Sequence, residues 1–192
     1  MSNFHVWERS SVALVLILGA NVRFPTPMKI GEQTMAQAQA KAAKRRHDAI
    51  SLLKADHEEV SAMFSKYEKT GGRKTEKADL AKKICSALTV HAQIEEEIFY
   101  PACREHLKDA DELLAEAKVE HGSLKELIGK IEDGEPGSEE YDAEVKVLGE
   151  YVKHHVKEEH QELFPKVRKS DLDLNELGEL LQTRKMELQK AN

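Results

Sequence analysis

The chain contains one phrase twice. Residues 91–101 read HAQIEEEIFYP and residues 155–165 read HVKEEHQELFP. Each phrase begins with His, has Glu four residues later and closes with two apolar residues and Pro. Because residues four apart stack on one face of an α-helix, each phrase places its His and its Glu side by side. The repetition predicts two helices that present the same polar pair on equivalent faces.

The rest of the chain predicts helices around these two. Apolar residues recur in steps of three and four, the period of one helix face, and no strand-like alternation of useful length is present. Breakers such as Thr70-Gly71-Gly72 and GEPGS at 134–138 separate the helices. We expect the second helix to end near Pro101 and the fourth to be interrupted or ended around Pro165. The four predicted helices span roughly residues 36–69, 75–100, 109–132 and 139–168.

A fifth, shorter helix is predicted after Ser170-Asp171-Leu172-Asp173, which resembles a helix start. Its apolar stripe is expected to pack on its own bundle, and consists of Leu174, Leu177, Leu181 and Leu188. Four long helices with short connections favour an all-α fold: an antiparallel up-down-up-down four-helix bundle with an extra C-terminal helix. Residues 1–35 are expected to form a non-core N-terminal extension, 36–169 the bundle, and 170–192 a C-terminal amphipathic helix.

The composition limits which cellular compartments and which partners are expected for this chain. The net charge of −6 argues against a nucleic-acid partner, and the apolar run at 12–20 is too short to span a bilayer, so no membrane contact is expected. The run has some features of a signal peptide, and a mature protein that starts near Asn21 would indicate secretion. Two cysteines without a CxxC motif fit a reducing, cytoplasmic location.

Polar residues interrupt the apolar stripes in a matched way. Each of the four long helices carries one His in the middle of its stripe, and two helices add a Glu one turn later. His57 precedes His121 by 64 residues, and His91 precedes His155 by the same distance. The same offset separates the two glutamates, Glu95 and Glu159, and the two prolines. We interpret the chain as two copies of a helical hairpin that close on each other.

Buried carboxylates without basic partners are costly, and two that lie close together also repel each other. Metal cations would remove both costs. Four imidazoles and two carboxylates exceed one tetrahedral zinc site and suit two cations of iron or manganese, with two histidines on each and both carboxylates bridging. The alternative is a metal-free polar layer. The predicted ligands are His57, His91, Glu95, His121, His155 and Glu159, whereas His5, His47, His106, His154 and His160 are placed outside the site.

These residues resemble the hemerythrin-like, or HHE cation-binding, domain family. The matching motifs are His57 in LLKADHEEV, the HxxxE of each repeated phrase, and His121 in EHGSLKEL, over roughly residues 46–168. The resemblance implies an antiparallel four-helix bundle around an oxo- or hydroxo-bridged non-haem di-iron centre, with manganese less favoured. The oxygen-carrying members have a fifth His where this chain has Lys125, which argues against simple reversible oxygen carriage.

The expected function is that of a non-haem di-iron binding protein that reacts with or senses a small oxidant: oxygen, peroxide or nitric oxide. Two alternatives stay open, a stress-response enzyme that decomposes peroxide or nitric oxide, and an iron-dependent sensor or interaction module. The expected ligand is therefore a small diatomic molecule or peroxide, and the sequence identifies no protein partner. The candidates for a general acid or base are Tyr67, Tyr100 and Lys125.

Overall fold

The structure, a computed structural model, describes residues 48–191, and every regular element in that range is helical. It is an antiparallel four-helix bundle with an additional C-terminal helix, as predicted. Two π-helical turns, at Glu95–Phe99 and Glu159–Leu163, interrupt the second and fourth long helices. The α-helices are α1 Ala49–Lys69, α2 Lys74–Ile94, α3 Tyr100–His106, α4 Asp111–Asp133, α5 Glu139–Glu158, α6 Phe164–Val167 and α7 Leu174–Ala191.

Side-chain caps fix where two of the long helices begin. Asp48 caps α1 by accepting a hydrogen bond from the Ser51 backbone N–H at 2.7 Å. Ser138 caps α5 by accepting one from the Tyr141 backbone N–H at 3.1 Å. Such caps satisfy N–H groups that the first turn leaves unpaired. The described helix α1 therefore begins at Ala49. The predicted start near residue 36 falls, with the proposed extension and the apolar run at 12–20, on residues 1–47, which lie outside the described range.

The two π-helical turns correct the prediction at the prolines. The second long helix does not end near Pro101, because the chain stays helical to His106. Within each turn a backbone N–H bonds the carbonyl five residues earlier: Tyr100 to Glu95, and Phe164 to Glu159. Proline has no N–H and its ring crowds the carbonyl four residues back, so a one-residue bulge before it relieves the conflict. Both turns start at the glutamate of the repeated phrase.

The bundle core consists of two apolar clusters. One lies toward the π-helical turns and includes Phe99, Phe164 and Leu114. The other lies toward the opposite end and includes Ile84 and Leu148. Along every long helix the buried His falls between a residue of one cluster and a residue of the other, as His57 does between Leu53 and Val60. The predicted site is thus a polar layer between two apolar clusters.

Helix α7 covers one side of the bundle. It packs against α1, α2 and the first π-helical turn, and its Leu177 and Leu181 are buried in the first cluster. The prediction that its leucine stripe packs on its own bundle is confirmed. No helix in the described part of the chain has the length and apolar character needed to cross a membrane.

Candidate metal centre

Four imidazoles converge in the polar layer, one from each long helix. The Nε2 atoms of His57 and His91 lie 2.8 Å apart, and those of His121 and His155 lie 3.2 Å apart. All four side chains are buried. The structure therefore brings together the four predicted histidines as two pairs with their Nε2 atoms inward. One pair comes from each helical hairpin of the repeat.

The two predicted glutamates lie between these pairs. Glu95 is fully buried and contacts both pairs: its Oε1 is 3.3 Å from His91 Nε2 and its Oε2 is 3.5 Å from His121 Nε2. Glu159, which is 3% exposed, places its Oε2 3.3 Å from His57 Nε2 and 3.8 Å from His155 Nε2. Each carboxylate thus lies near a histidine of both hairpins, and Glu95 is about equally far from the two.

The carboxylates are incompletely satisfied. Glu95 Oε1 and Glu159 Oε2 are buried without a hydrogen-bond partner among the described residues. Burial and then the charge of Glu95 raise the pKa of Glu159 well above its ordinary value. Burial also acts to raise the pKa of Glu95, but His91 outweighs it and lowers this pKa. The protein alone does not support two ionised carboxylates here, and cations would.

The outward nitrogens of the four rings have their own partners. His155 Nδ1 is 2.7 Å from Glu120 Oε2, and His91 Nδ1 is 3.4 Å from Asp56 Oδ2. Asp56 and Glu120 are separated by the same 64 residues as the histidines. A carboxylate on Nδ1 fixes the tautomer that leaves Nε2 free to bind a cation. The sequence places an acid directly before both His57 and His121, which was the available signal for these partners.

The other two rings break the symmetry. His121 Nδ1 lies 3.1 Å from Glu96 Oε1, whereas His57 Nδ1 lies 3.0 Å from His160 Nε2. Glu96 and His160 occupy equivalent positions in the two phrases. Placing His160 outside the site was therefore only partly right, because it contacts a predicted ligand. On a helical wheel His160 lies about 100° from the stripe, which agrees with its contact on the outward nitrogen of the His57 ring.

Tyr100 also enters the centre. Its hydroxyl oxygen is 3.2 Å from Glu159 Oε1, 3.5 Å from Glu95 Oε2 and 3.4 Å from His121 Nε2. Burial, then the charges of both glutamates, raise the pKa of Tyr100 well above its ordinary value. The equivalent position in the second phrase is Phe164, which stacks on His57 with ring centroids 6.0 Å apart. The centre thus has one phenol, on the side of His121 and His155.

The other acid or base candidates lie away from the centre. Tyr67 donates a hydrogen bond to Asp142 at 2.7 Å, beside the second apolar cluster. Lys125 is exposed and pairs with Glu96 at 2.6 Å. Of the three candidates, the structure brings only Tyr100 to the predicted ligands.

The residues present fit two cations. Two overlapping groups can each surround one ion, and they share Glu95: one is His57, His91, Glu95 and Glu159, and the other is Glu95, His121 and His155. Two nitrogens at right angles around a cation, each about 2.1 Å from it, lie about 3.0 Å apart, which agrees with the spacing within both imidazole pairs. That all six residues act as ligands stays a prediction.

This fold and this cluster define the class: an antiparallel helical bundle whose core brings together histidine and carboxylate side chains that can hold cations. Residues 48–167 match the family described as "Hemerythrin HHE cation binding domain". The chain belongs to this family, and the resemblance drawn from the repeated phrases is confirmed.

Two known proteins are similar to parts of this chain. A solved structure, a hemerythrin HHE cation-binding domain-containing protein from Mycobacterium kansasii, has 23% identity and a TM-score of 0.65 over 75% of this chain and 88% of its own. At that identity the likeness shows the fold alone. A protein described as a DNA nickase from Nostoc sp. (strain PCC 7120) is 27% identical over 117 residues, or 61% of this chain. The chain spans only 32% of that longer relative.

Proposed function

We propose that the chain is a non-haem di-iron binding protein that acts in the cytoplasm and reacts with or senses a small oxidant: oxygen, peroxide or nitric oxide. The observation that carries this is the convergence of four buried Nε2 atoms on two buried carboxylates, each with one oxygen that has no hydrogen-bond partner between residues 48 and 191. Family membership supports a cation, and imidazole with carboxylate ligation favours iron. Two free buried cysteines fit a reducing compartment.

His57 and His91 would hold one iron, and His121 and His155 the other, with Glu95 and Glu159 between them. When bound, two ferrous ions would supply one electron each to the oxidant. The carboxylates on Asp56 and Glu120 keep the Nε2 atoms of His91 and His155 directed inward. The apolar clusters on either side keep bulk water away from the layer.

A small cavity borders the four imidazoles on the side of the second apolar cluster. Its volume is about 20 Å³, and its apolar lining includes Val60, Leu88, Leu124 and Val152. That volume is close to the space one water molecule requires. An apolar wall gives water few partners, so the cavity suits an uncharged diatomic molecule better. This supports a small oxidant rather than an organic substrate.

Metal analysis tests the proposal directly. Protein purified without added metal, or loaded anaerobically with Fe²⁺, should contain about two irons per chain, because two overlapping ligand groups are present. Its ultraviolet–visible spectrum should change on reduction and change back in air. A chain that stays free of iron after anaerobic loading would refute the proposal and leave the centre as a metal-free polar layer.

A second candidate function is the turnover of peroxide, favoured by the position of Tyr100. Its hydroxyl stays protonated and lies within 3.5 Å of both glutamates, where it can donate a proton to a reacting oxygen. Tyr100→Phe should lower peroxide turnover about 100-fold if the phenol is a general acid, with iron content unchanged. Tyr67→Phe, which removes a hydroxyl away from the centre, is the matched control.

The readouts separate the two candidates. Consumption of many peroxide equivalents per centre would favour an enzyme, whereas about one equivalent would favour a sensor or a binding protein. Equal turnover in Tyr100→Phe and the wild-type chain would exclude the phenol as the acid. Loss of iron from Tyr100→Phe would instead assign it to holding the metal.

A further inference from the structure

A second cluster of potential ligands lies at the surface beside the buried centre. His154 Nε2 is 3.2 Å from Glu158 Oε1 and 3.6 Å from Glu120 Oε1. One ligand atom from each of these residues lies within 4.8 Å of the others. His154 is 60% exposed, whereas Glu120 and Glu158 are half-buried. One imidazole and two carboxylates suit a divalent cation, and the remaining positions face water.

This cluster is continuous with the buried centre. Glu120 belongs to both: its Oε1 faces His154, and its Oε2 lies 2.7 Å from His155 Nδ1. A cavity of about 10 Å³ follows the same line, with Glu120, Glu158, His155 and Glu159 among its lining residues. Glu159 is 3% exposed, and its Oε2 has no hydrogen-bond partner in the described range. Glu120, Glu158 and Glu159 therefore border one small cavity between the surface cluster and the buried centre.

The internal repeat gives a comparison within the same molecule. In the first hairpin, Val90 and Ile94 occupy the positions of His154 and Glu158, and both are buried apolar residues. Asp56 occupies the position of Glu120, and there the Lys185 ammonium from α7 binds the carboxylate. Beside the first hairpin, Lys185 of α7 thus satisfies this acid with a protein cation. The second hairpin leaves the equivalent acid facing an exposed imidazole and another carboxylate.

We infer that Glu120, His154 and Glu158 form a third, surface site for a divalent cation, through which cations enter the buried centre. Glu120 would carry the ion inward because it contacts His154 on one side and His155 on the other. The site itself needs only the surface residues. The entry role rests on the proposed metal binding of the buried centre, so the two are measured separately.

The site is tested by counting bound Mn²⁺ on the full chain, with electron paramagnetic resonance to measure the free ion. The wild-type chain should bind one Mn²⁺ more than His154→Ala/Glu158→Gln, whether or not the buried centre also takes Mn²⁺. Glu150→Gln, one turn earlier on α5 and exposed, removes an acid that is not in the cluster and should bind as the wild type does. Equal counts in the wild type and the double variant would overturn the site.

The entry role is tested by the rate at which Co²⁺ fills the metal-free centre, followed by absorbance after rapid mixing. His154→Ala/Glu158→Gln should fill it at least about tenfold more slowly, because a local charge that concentrates cations raises their association rate by at least that factor. The final absorbance should match the wild type, which also shows that the variant is folded. Glu150→Gln should keep the wild-type rate.

The outcomes are distinguishable. A wild-type filling rate in the double variant would overturn the entry role. If no chain shows absorbance from a filled centre, the proposed function fails, and the Mn²⁺ count still decides the surface site. A lower final absorbance in the double variant would make His154 and Glu158 supports of the buried centre, which also overturns an entry role.

Discussion

Glu159→Gln should change stability in opposite directions in the metal-free and the metal-loaded protein. Without metal, one oxygen of this buried carboxylate has no hydrogen-bond partner in the part of the chain that the structure describes, and Glu95 repels it. The uncharged amide should therefore raise the free energy of unfolding by about 1–3 kcal/mol. With metal, the variant loses a predicted ligand. It should then lose about 3 kcal/mol or more, the stabilisation that a ligand at about 100 times its Kd provides. Chemical denaturation with and without a chelator measures both values.

The stability of the metal-free protein should also depend on pH, because Glu159 and Glu95 lie close together. The folded-state pKa of Glu159 is raised to about 8, by burial first and by Glu95 second. A carboxyl with a raised folded pKa costs nothing at low pH and destabilises increasingly as pH rises from its unfolded value of about 4.5 toward 8. The advantage of Glu159→Gln should therefore grow over that range. Glu162→Gln, an exposed neighbour, is the matched control. If Glu159→Gln destabilised the metal-free protein as well as the metal-loaded protein, Glu159 would not be a metal ligand that Glu95 repels in the metal-free state.

Leu181→Ala should destabilise the chain by about 2–5 kcal/mol, the usual cost of removing a buried leucine side chain and leaving a cavity. Leu181 is 0% exposed and joins the first apolar cluster, so the loss falls where α7 meets the bundle. Its neighbour Leu180 is 53% exposed, and Leu180→Ala should change stability by less than about 0.5 kcal/mol. The denaturant midpoints of the two variants measure the difference. Equal effects would mean that α7 does not pack as described.

The bundle could be predicted from the sequence because its signals are local and periodic. The stripes carrying His57, His91, His121 and His155 have the helical step, and the 64-residue offset relates one hairpin to the other. The predicted end at Pro101 failed for a physical reason. Proline normally stops a helix, but one additional residue in the turn before it lets the helix continue to His106.

The same additional residue explains how Tyr100, one of the three acid or base candidates in the sequence, is positioned at the centre. Inserting one residue rotates the following helix by about 100°, so the position five after Glu95, rather than four, turns inward. Tyr100 therefore reaches the centre, where a regular helical wheel does not place it. The contact between α7 and Asp56 is a tertiary matter: nothing local in the sequence links Lys185 to a residue 129 positions away.

The polar layer between the two apolar clusters has a consequence for cooperativity. Apolar contacts that run through a whole core make the two ends of a bundle unfold together, and here those contacts are divided at the level of the four histidines. In the metal-free chain, the amides of each end can exchange hydrogen through their own local opening. Cations shared by all four long helices would join the two ends into one cooperative unit. Metal loss would then let the two ends of the bundle unfold independently, and it would also remove the reactivity of the metal.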